Sequence, residues 1–427
     1  MAGSRLLVSI AAMLGALSGC GTSVADENPP RGLVYEIEYR LTPDPLSQTI
    51  GVTMSVSQPR HLLREVRFAA PAERLFDVAG DGELDIDDGR LSWRPPESGG
   101  MLSWTVEVPH RRNGNGHDAW LDERWGLLRA EDVVPRAATR TLKGAHSDTT
   151  VVFELPDDWS VITQYRESDG RFDIANGGRR FVQPSGWIVM GELGVRRERV
   201  TGVRVAVAAP EGEGVRRMDM IALSNWLLPE LGRIVPELPD RVTIVSAGDP
   251  MWRGGLSAPA SIFIHADRPL LSENGTSTLV HELMHVAFRI DSVRGHDWIV
   301  EGLAEYYTLE LLRRSGTLSE RRFERALASQ RDWATDAKTL CAPSSTGATT
   351  ALAVSLFVDL DAEISSRSQG EHGLDDVLEA LIALDRPLDL ESLRNISSRL
   401  IGTNPDALHI DRLPGCRTLS AGAESAN

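Results

Sequence analysis

The spacing of hydrophobic positions changes once along the chain. From Leu33 to about Ala208 they alternate with polar positions over short runs: Val34-Tyr35-Glu36-Ile37-Glu38-Tyr39, Gly51 to Val56, Thr150 to Leu155 and Val203 to Val207. A period of two sends successive side chains to opposite faces, so these runs predict strands with one buried face and a β-sandwich-like domain over 33–208. Asp87-Asp88-Gly89-Arg90, set between Leu84-Asp85-Ile86 and Leu91-Ser92-Trp93, predicts a hairpin turn. Its acidic cluster lacks the glycine and glutamate spacing of an EF-hand loop and reads as a solvated turn.

After Pro210 the spacing becomes helical. Val215, Met218, Ile221, Ala222 and Trp226 predict a helix that stops at Leu228, where Pro229 intervenes. Strands are predicted at Val242 to Ser246 and Ser261 to Ala266. Helices follow at about 276–290, 298–314, 320–333, 349–365, 374–384 and 393–401, with no internal repeat. The predicted fold class is α+β: the β-rich domain, then an α/β and helical domain over 209–427.

Composition narrows the function. A chain of 427 residues exceeds one hydrophobic core and fits two or three domains. A formal charge of −16, with no basic stripe in the sequence, argues against nucleic acid as a partner, because phosphate binding needs clustered cations. The N-terminus carries one cation, Arg5, and then an apolar run from Leu6 to Leu17, too short to span a bilayer and typical of a signal peptide.

That run ends in Leu17-Ser18-Gly19-Cys20, which is similar to the lipobox of bacterial lipoproteins. The similarity implies that residues 1–20 are a signal segment and that Cys20 carries lipid. Residues 21–32, with Pro29-Pro30, would form a tether, and the protein would be exported and anchored to the membrane of the cell envelope. Cys341 and Cys416 then remain as an even pair in an oxidising compartment, which predicts a disulfide fastening the C-terminal tail.

The chemistry lies in His281-Glu282-Leu283-Met284-His285. On a helix, residues four apart share a face, so both imidazoles can reach one metal ion, with the Glu282 carboxylate beside them. That is where a base could take a proton from an activated water. A catalytic zinc needs a third protein ligand, and Trp298 to Tyr307, containing Glu301-Gly302-Leu303-Ala304-Glu305-Tyr306, supplies two acidic candidates.

Together these segments resemble the gluzincin metallopeptidases, which share His-Glu-x-x-His followed by Glu-Gly-x-x-x-Tyr. The resemblance is greatest to the glycyl aminopeptidase family, and extends more weakly to Tyr39 to Pro45 and to Leu374-Asp375-Asp376-Val377-Leu378. It implies a thermolysin-like catalytic domain with Zn2+ held by His281, His285 and Glu301. Glu282 would be the general base, peptides or proteins the substrates, and Glu305 either an alternative ligand or a partner for an imidazole.

The chain departs from that pattern in three places. The connection from His285 to Glu301 is shorter than usual, which keeps Glu305 open as a ligand. In Gly254-Gly255-Leu256-Ser257-Ala258, serine stands where related aminopeptidases have the glutamate that grips the substrate amine, so strict aminopeptidase activity is not expected. No tyrosine follows Tyr307, which leaves Tyr306, Tyr307, His296 or His372 as the candidates to stabilise an oxyanion. These departures motivate a rival reading, a catalytically impaired zinc-fold lipoprotein that binds peptides or envelope partners.

Overall fold

The computed structural model describes residues 33–69, 74–87, 89–112, 116–175 and 177–416. Cys20, the signal segment and the tether lie outside the described residues, as does Asp88 of the expected hairpin turn.

Three sheets make up the N-terminal half. In the largest, Val34–Asp44 pairs in parallel with His146–Phe153 and antiparallel with Thr49–Ser57, which in turn pairs with Gly99–Glu107. The alternation read from the sequence is the buried face: Tyr35, Ile37, Tyr39 and Leu41 on one strand meet Val52 and Met54 on the next. Val66, Phe68, Leu91 and Trp93 of a four-stranded sheet join the same core. The hairpin forms between Glu83–Asp87 and Arg90–Arg94.

The third sheet lies between the two halves. Trp125–Arg129 and Trp187–Gly191 pair antiparallel, and almost every residue in them is buried. Their alternate residues face different cores. Leu128, Ile188 and Met190 enter the N-terminal core. Trp125, Leu127, Trp187 and Val189 pack with Ala208, Val245 and Phe263 of the second half. A strand buried on both faces needs a continuous apolar run, which explains both sequences.

The elements of the second half are numbered here from its first strand: β1 (Leu193–Val200), β2 (Val203–Pro210), β3 (Arg241–Ala247), β4 (Gly255–Ala258) and β5 (Ser261–His265). They form one sheet in the order β1-β2-β3-β5-β4, with β1 and β4 antiparallel at its edges. β1 and most of β2 lie on the N-terminal side of the boundary expected between 208 and 209. They nevertheless go with the second half, because β2 hydrogen-bonds in parallel to β3 and its Val203, Val205 and Val207 enter the second half's core.

The helices are α1 (Arg217–Ile234), α2 (Thr278–Phe288), α3 (Asp297–Arg314), α4 (Glu320–Ala334), α5 (Ala348–Arg367), α6 (Leu374–Ile382) and α7 (Leu390–Ile401). α1 corrects the sequence reading twice. It continues through Pro229 to Ile234, because Leu227, Leu228, Leu231 and Ile234 are buried and together outweigh the hydrogen bond that proline removes. Its buried face is Met220, Ile221, Ser224 and Leu227, whereas Met218 and Trp226 are exposed. The Trp226 indole donates to the Ser315 carbonyl at 2.8 Å and lies on the surface.

Candidate metal centre

α2 runs under the edge strand β4 and carries His281, Glu282 and His285. Ser277 caps its start by accepting from the Val280 amide at 3.3 Å, and Arg289, in the left-handed conformation at φ 52°, ends it. α3 packs against α2 and brings Glu301 and Glu305 one turn apart. Close approach of α3 to α5 depends on Gly302: a Cβ there would lie 2.6 Å from the Ala353 Cβ and 2.8 Å from Phe357.

Three donor atoms converge. His281 Nε2 and His285 Nε2 are 3.1 Å apart, and the Glu301 carboxylate lies 3.3 Å from the first and 3.5 Å from the second. Ligands about 2.0–2.1 Å from a tetrahedral ion are separated by about 3.3 Å, so the three fit the ligand triangle of zinc. Among the described residues this is the only group of three or more His, Cys, Asp or Glu close enough to hold an ion.

Glu305 occupies a different place. His281 Nδ1 donates to its carboxylate at 3.0 Å, and Gln330 Nε2 donates to the other oxygen at 3.2 Å. Because a carboxylate only accepts, Nδ1 keeps its proton, and Nε2 is the nitrogen that a cation would take by displacing the second proton. The geometry thus separates the two acidic candidates, with Glu301 among the converging donors and Glu305 behind His281.

The local electrostatics favour positive charge. Burial acts to lower the His281 pKa, but hydrogen bonds to Glu301 and Glu305 and the charges of Glu305 and Glu282 push it up to about 10. His285, buried and facing His281, is lowered to about 4. Burial pulls the Glu301 carboxyl upward, and the two imidazoles outweigh it, so its pKa is lowered. Glu282 is only 8% exposed; burial raises its pKa, partly offset by His281 and by hydrogen bonds from Ser257. A raised pKa makes this carboxylate a better proton acceptor than an exposed one.

β4 therefore sits against Glu282. Ser257 hydrogen-bonds Glu282, and a Cβ at Gly255 would lie 2.5 Å from Thr278 and 3.1 Å from the Glu282 side chain. A cavity of about 300 Å3 opens beside the metal triad, bounded by His281, Glu301, Trp333 and Thr350.

The remaining site residues are placed elsewhere. The Tyr306 hydroxyl donates to Asp361 at 2.8 Å and the Tyr307 hydroxyl to Asp375 at 3.0 Å. Both rings are buried in the core, and burial raises both pKa values. Arg314 donates to the same Asp375. These bonds tie α3 to α5 and α6 and leave neither hydroxyl free. His296 stands just before α3, and His372 lies 3.5 Å from Asp376. Neither belongs to the converging triad. Cys341 and Cys416 are joined by a disulfide with S–S 2.06 Å. Gln330, an amide on a polar helix whose role depends wholly on how α4 packs, carries no signal in the sequence, and neither does Ser257 as a partner of Glu282.

Comparison of the whole fold with solved structures shows that it is similar to that of M1 zinc metallopeptidases. An aminopeptidase N family protein from Idiomarina loihiensis superposes with a TM-score of 0.63 over 87% of this chain and 72% of its own, at 14% identity. An M1 zinc metallopeptidase from Deinococcus radiodurans gives 0.56 over 91% of this chain and 95% of its own, at 15% identity. A variant of the Deinococcus enzyme bound to a Tyr-Ser-Ala substrate gives 0.57 over 89% and 93%, at 15% identity. No protein-family model matches the sequence, and no curated protein matches it.

Proposed function

We propose that the protein is a zinc-dependent peptidase in which His281, His285 and Glu301 hold the metal, Glu282 is the general base, and cleavage is not confined to free N-termini. The observation that carries this reading is the convergence of the three donor atoms at 3.1, 3.3 and 3.5 Å, with a buried carboxylate beside them on the same helix. The M1 fold and the zinc metallopeptidase neighbours support it.

Zinc in such a site supplies Lewis acidity, which lowers the pKa of water to about 7 and polarises a carbonyl. The chain does the rest. Glu305 fixes the ring and tautomer of His281. Ser257 orients Glu282, and burial raises its pKa so that it can take a proton and pass it to the leaving amine. Tyr306 and Tyr307 hold α3 through Asp361 and Asp375, and no part of the mechanism is assigned to their hydroxyls.

Specificity follows from β4. A carboxylate at the Ser257 position would hold a substrate ammonium by a charge-assisted bond, whereas the serine hydroxyl present there is spent on Glu282. Matched peptides with free and acetylated N-termini are expected to be cleaved at rates within about threefold of each other, less than the contribution of one lost charged contact. A strong preference for the free amine would overturn this part of the proposal and point to an acidic group from another segment. The Leu17-Ser18-Gly19-Cys20 segment supports export and anchoring through a lipid on Cys20. Replacing Cys20 by serine would then release the protein from membranes, and retention after a salt wash would refute the anchor.

A further inference from the structure

A cluster of arginines lies on the opposite face of the β1-β2-β3-β5-β4 sheet from α2. Arg199 of β1 is directly opposite Arg204 of β2, and Arg204 is in register with Arg241 of β3. Three guanidinium groups thus stand in a row across three neighbouring strands. Arg197 is two residues before Arg199 and therefore on the same face, and Arg166, from the strand Arg166–Ser168, faces them from the N-terminal half. Together they line a groove of about 450 Å3 that also holds two acidic residues, Glu167 and Glu198.

Like charges directly opposite on adjacent strands destabilise a sheet, so a row of three calls for a compensating charge. The chain supplies only part of it: Glu167 and Glu198 line the groove and the charge of Asp240 acts on Arg241, which leaves five arginines against three carboxylates. Among the described residues, none of these five arginines makes an ion pair within 4.0 Å, whereas Arg40, Arg94 and Arg171 of the N-terminal sheets do. Arg241 is held in place by donating to the carbonyls of Gln164, at 3.0 Å, and Tyr165. Its pKa is lowered, first by burial and then by Arg204, Arg166 and Arg197. One guanidinium fixed by two carbonyls, with exposed ones around it, is an arrangement that captures an oxyanion by forked hydrogen bonds. The other wall is apolar, with Ile162 and Phe172 among its residues.

We infer that this groove binds a small phosphate-bearing ligand, at a site separate from the metal cleft, with which it shares no lining residue. The charge density selects the class. A phosphoryl group concentrates about −1.5 to −2 on one centre, whereas a carboxylate brings a single charge, and the groove must neutralise several arginines within a small volume. The phosphoryl group could belong to a soluble molecule or to a lipid headgroup.

The test uses the full chain carrying Cys20→Ser, so that no N-terminal lipid binds vesicles by itself, and the same chain with Arg199→Gln and Arg204→Gln. Thermal unfolding is followed with sodium pyrophosphate against sodium chloride of equal ionic strength. Flotation is measured on phosphatidylcholine vesicles with and without phosphatidylglycerol. The proposal expects pyrophosphate to raise the melting temperature by at least about 2 °C, an effect lost in the double variant. If vesicle binding instead depends on phosphatidylglycerol and on the two arginines, the phosphoryl group is a headgroup. No response to either probe, or a response that survives in the double variant, overturns the proposal. Binding of a polyglutamate peptide when both phosphoryl probes fail would also overturn it.

Discussion

Gly302 gives the most direct test of how the fold sets up the metal site, because the residue before it is Glu301. In a helix interior, alanine is favoured over glycine by about 1 kcal/mol, so on local preference alone Gly302→Ala should stabilise the protein. The packing says otherwise. The added Cβ would sit 2.6 Å from the Ala353 Cβ and 2.8 Å from Phe357, against about 3.5–4.0 Å for comfortable carbon contacts. Ala353 and Phe357 are fully buried and cannot swing away, so α3 and α5 must separate. Overpacking of this kind costs about 1–3 kcal/mol, and with two contacts below 3.0 Å to fully buried carbons the upper part of that range applies, which leaves a net loss of up to about 2 kcal/mol. The measurement is urea unfolding with zinc content on the same samples. Zinc affinity should fall with stability, because Glu301 moves with α3. Adding Ala353→Gly relieves the 2.6 Å contact, so the double variant should be more stable than the sum of the single changes by about 1 kcal/mol or more. A Gly302→Ala protein at least as stable as the wild type, with full zinc affinity, would refute the reasoning.

Three further outcomes follow from the same structure. Glu305→Gln keeps the shape but weakens the acceptor for His281 Nδ1, and zinc titration should show an affinity lower by about 10–100-fold, with no change in the number of ions bound. The Cys341–Cys416 bond closes a separation of 75 residues, so replacing both cysteines by alanine should cost about 2–4 kcal/mol in urea unfolding, and dithiothreitol should lower the melting temperature of the wild type alone. Asp389 caps α7 by accepting from the Ser392 amide at 2.7 Å. Burial raises its pKa, but the bonds from Ser392 outweigh this and leave it lowered. A depressed folded pKa gives stability that is present above the unfolded value, about 3.9, and lost as pH falls through the folded value. Asp389→Ala should therefore lose about 1 kcal/mol near neutral pH and almost nothing in strong acid, read from unfolding curves across that range.

The convergence of His281, His285 and Glu301 was legible in the sequence because its logic is local. His281 and His285 are four apart on one helix, and Glu301 lies on the next, so short-range geometry brings them together. The same holds for Tyr35, Ile37 and Tyr39, whose alternation is their burial. What could not be read depends on distant pairing. Trp226 fits the helical period but faces outward, since the buried face is set by what the sheet presents to α1. Pro229 reads as a helix stop, yet four buried apolar residues around it hold the helix. The arginine row exists only once β1, β2 and β3 are in register, and Leu193 to Val200 carries too many charges to read as a strand. Tyr306 and Tyr307 look available beside a catalytic motif, but Asp361 and Asp375, more than fifty residues away, occupy their hydroxyls.

The central claim is that Glu282 exchanges protons beside a zinc held by His281, His285 and Glu301. It is tested most directly by zinc analysis and a peptide-library digest, read by mass spectrometry, on the wild type and Glu282→Gln side by side. The wild type should hold about one zinc per chain and cleave peptide bonds, as three-ligand zinc sites do. The variant should keep its zinc and lose about 100- to 10,000-fold of the turnover, the usual contribution of a general base. A wild type that binds no zinc, or binds zinc and cleaves nothing, would contradict the account, as would a variant that digests the library at the wild-type rate.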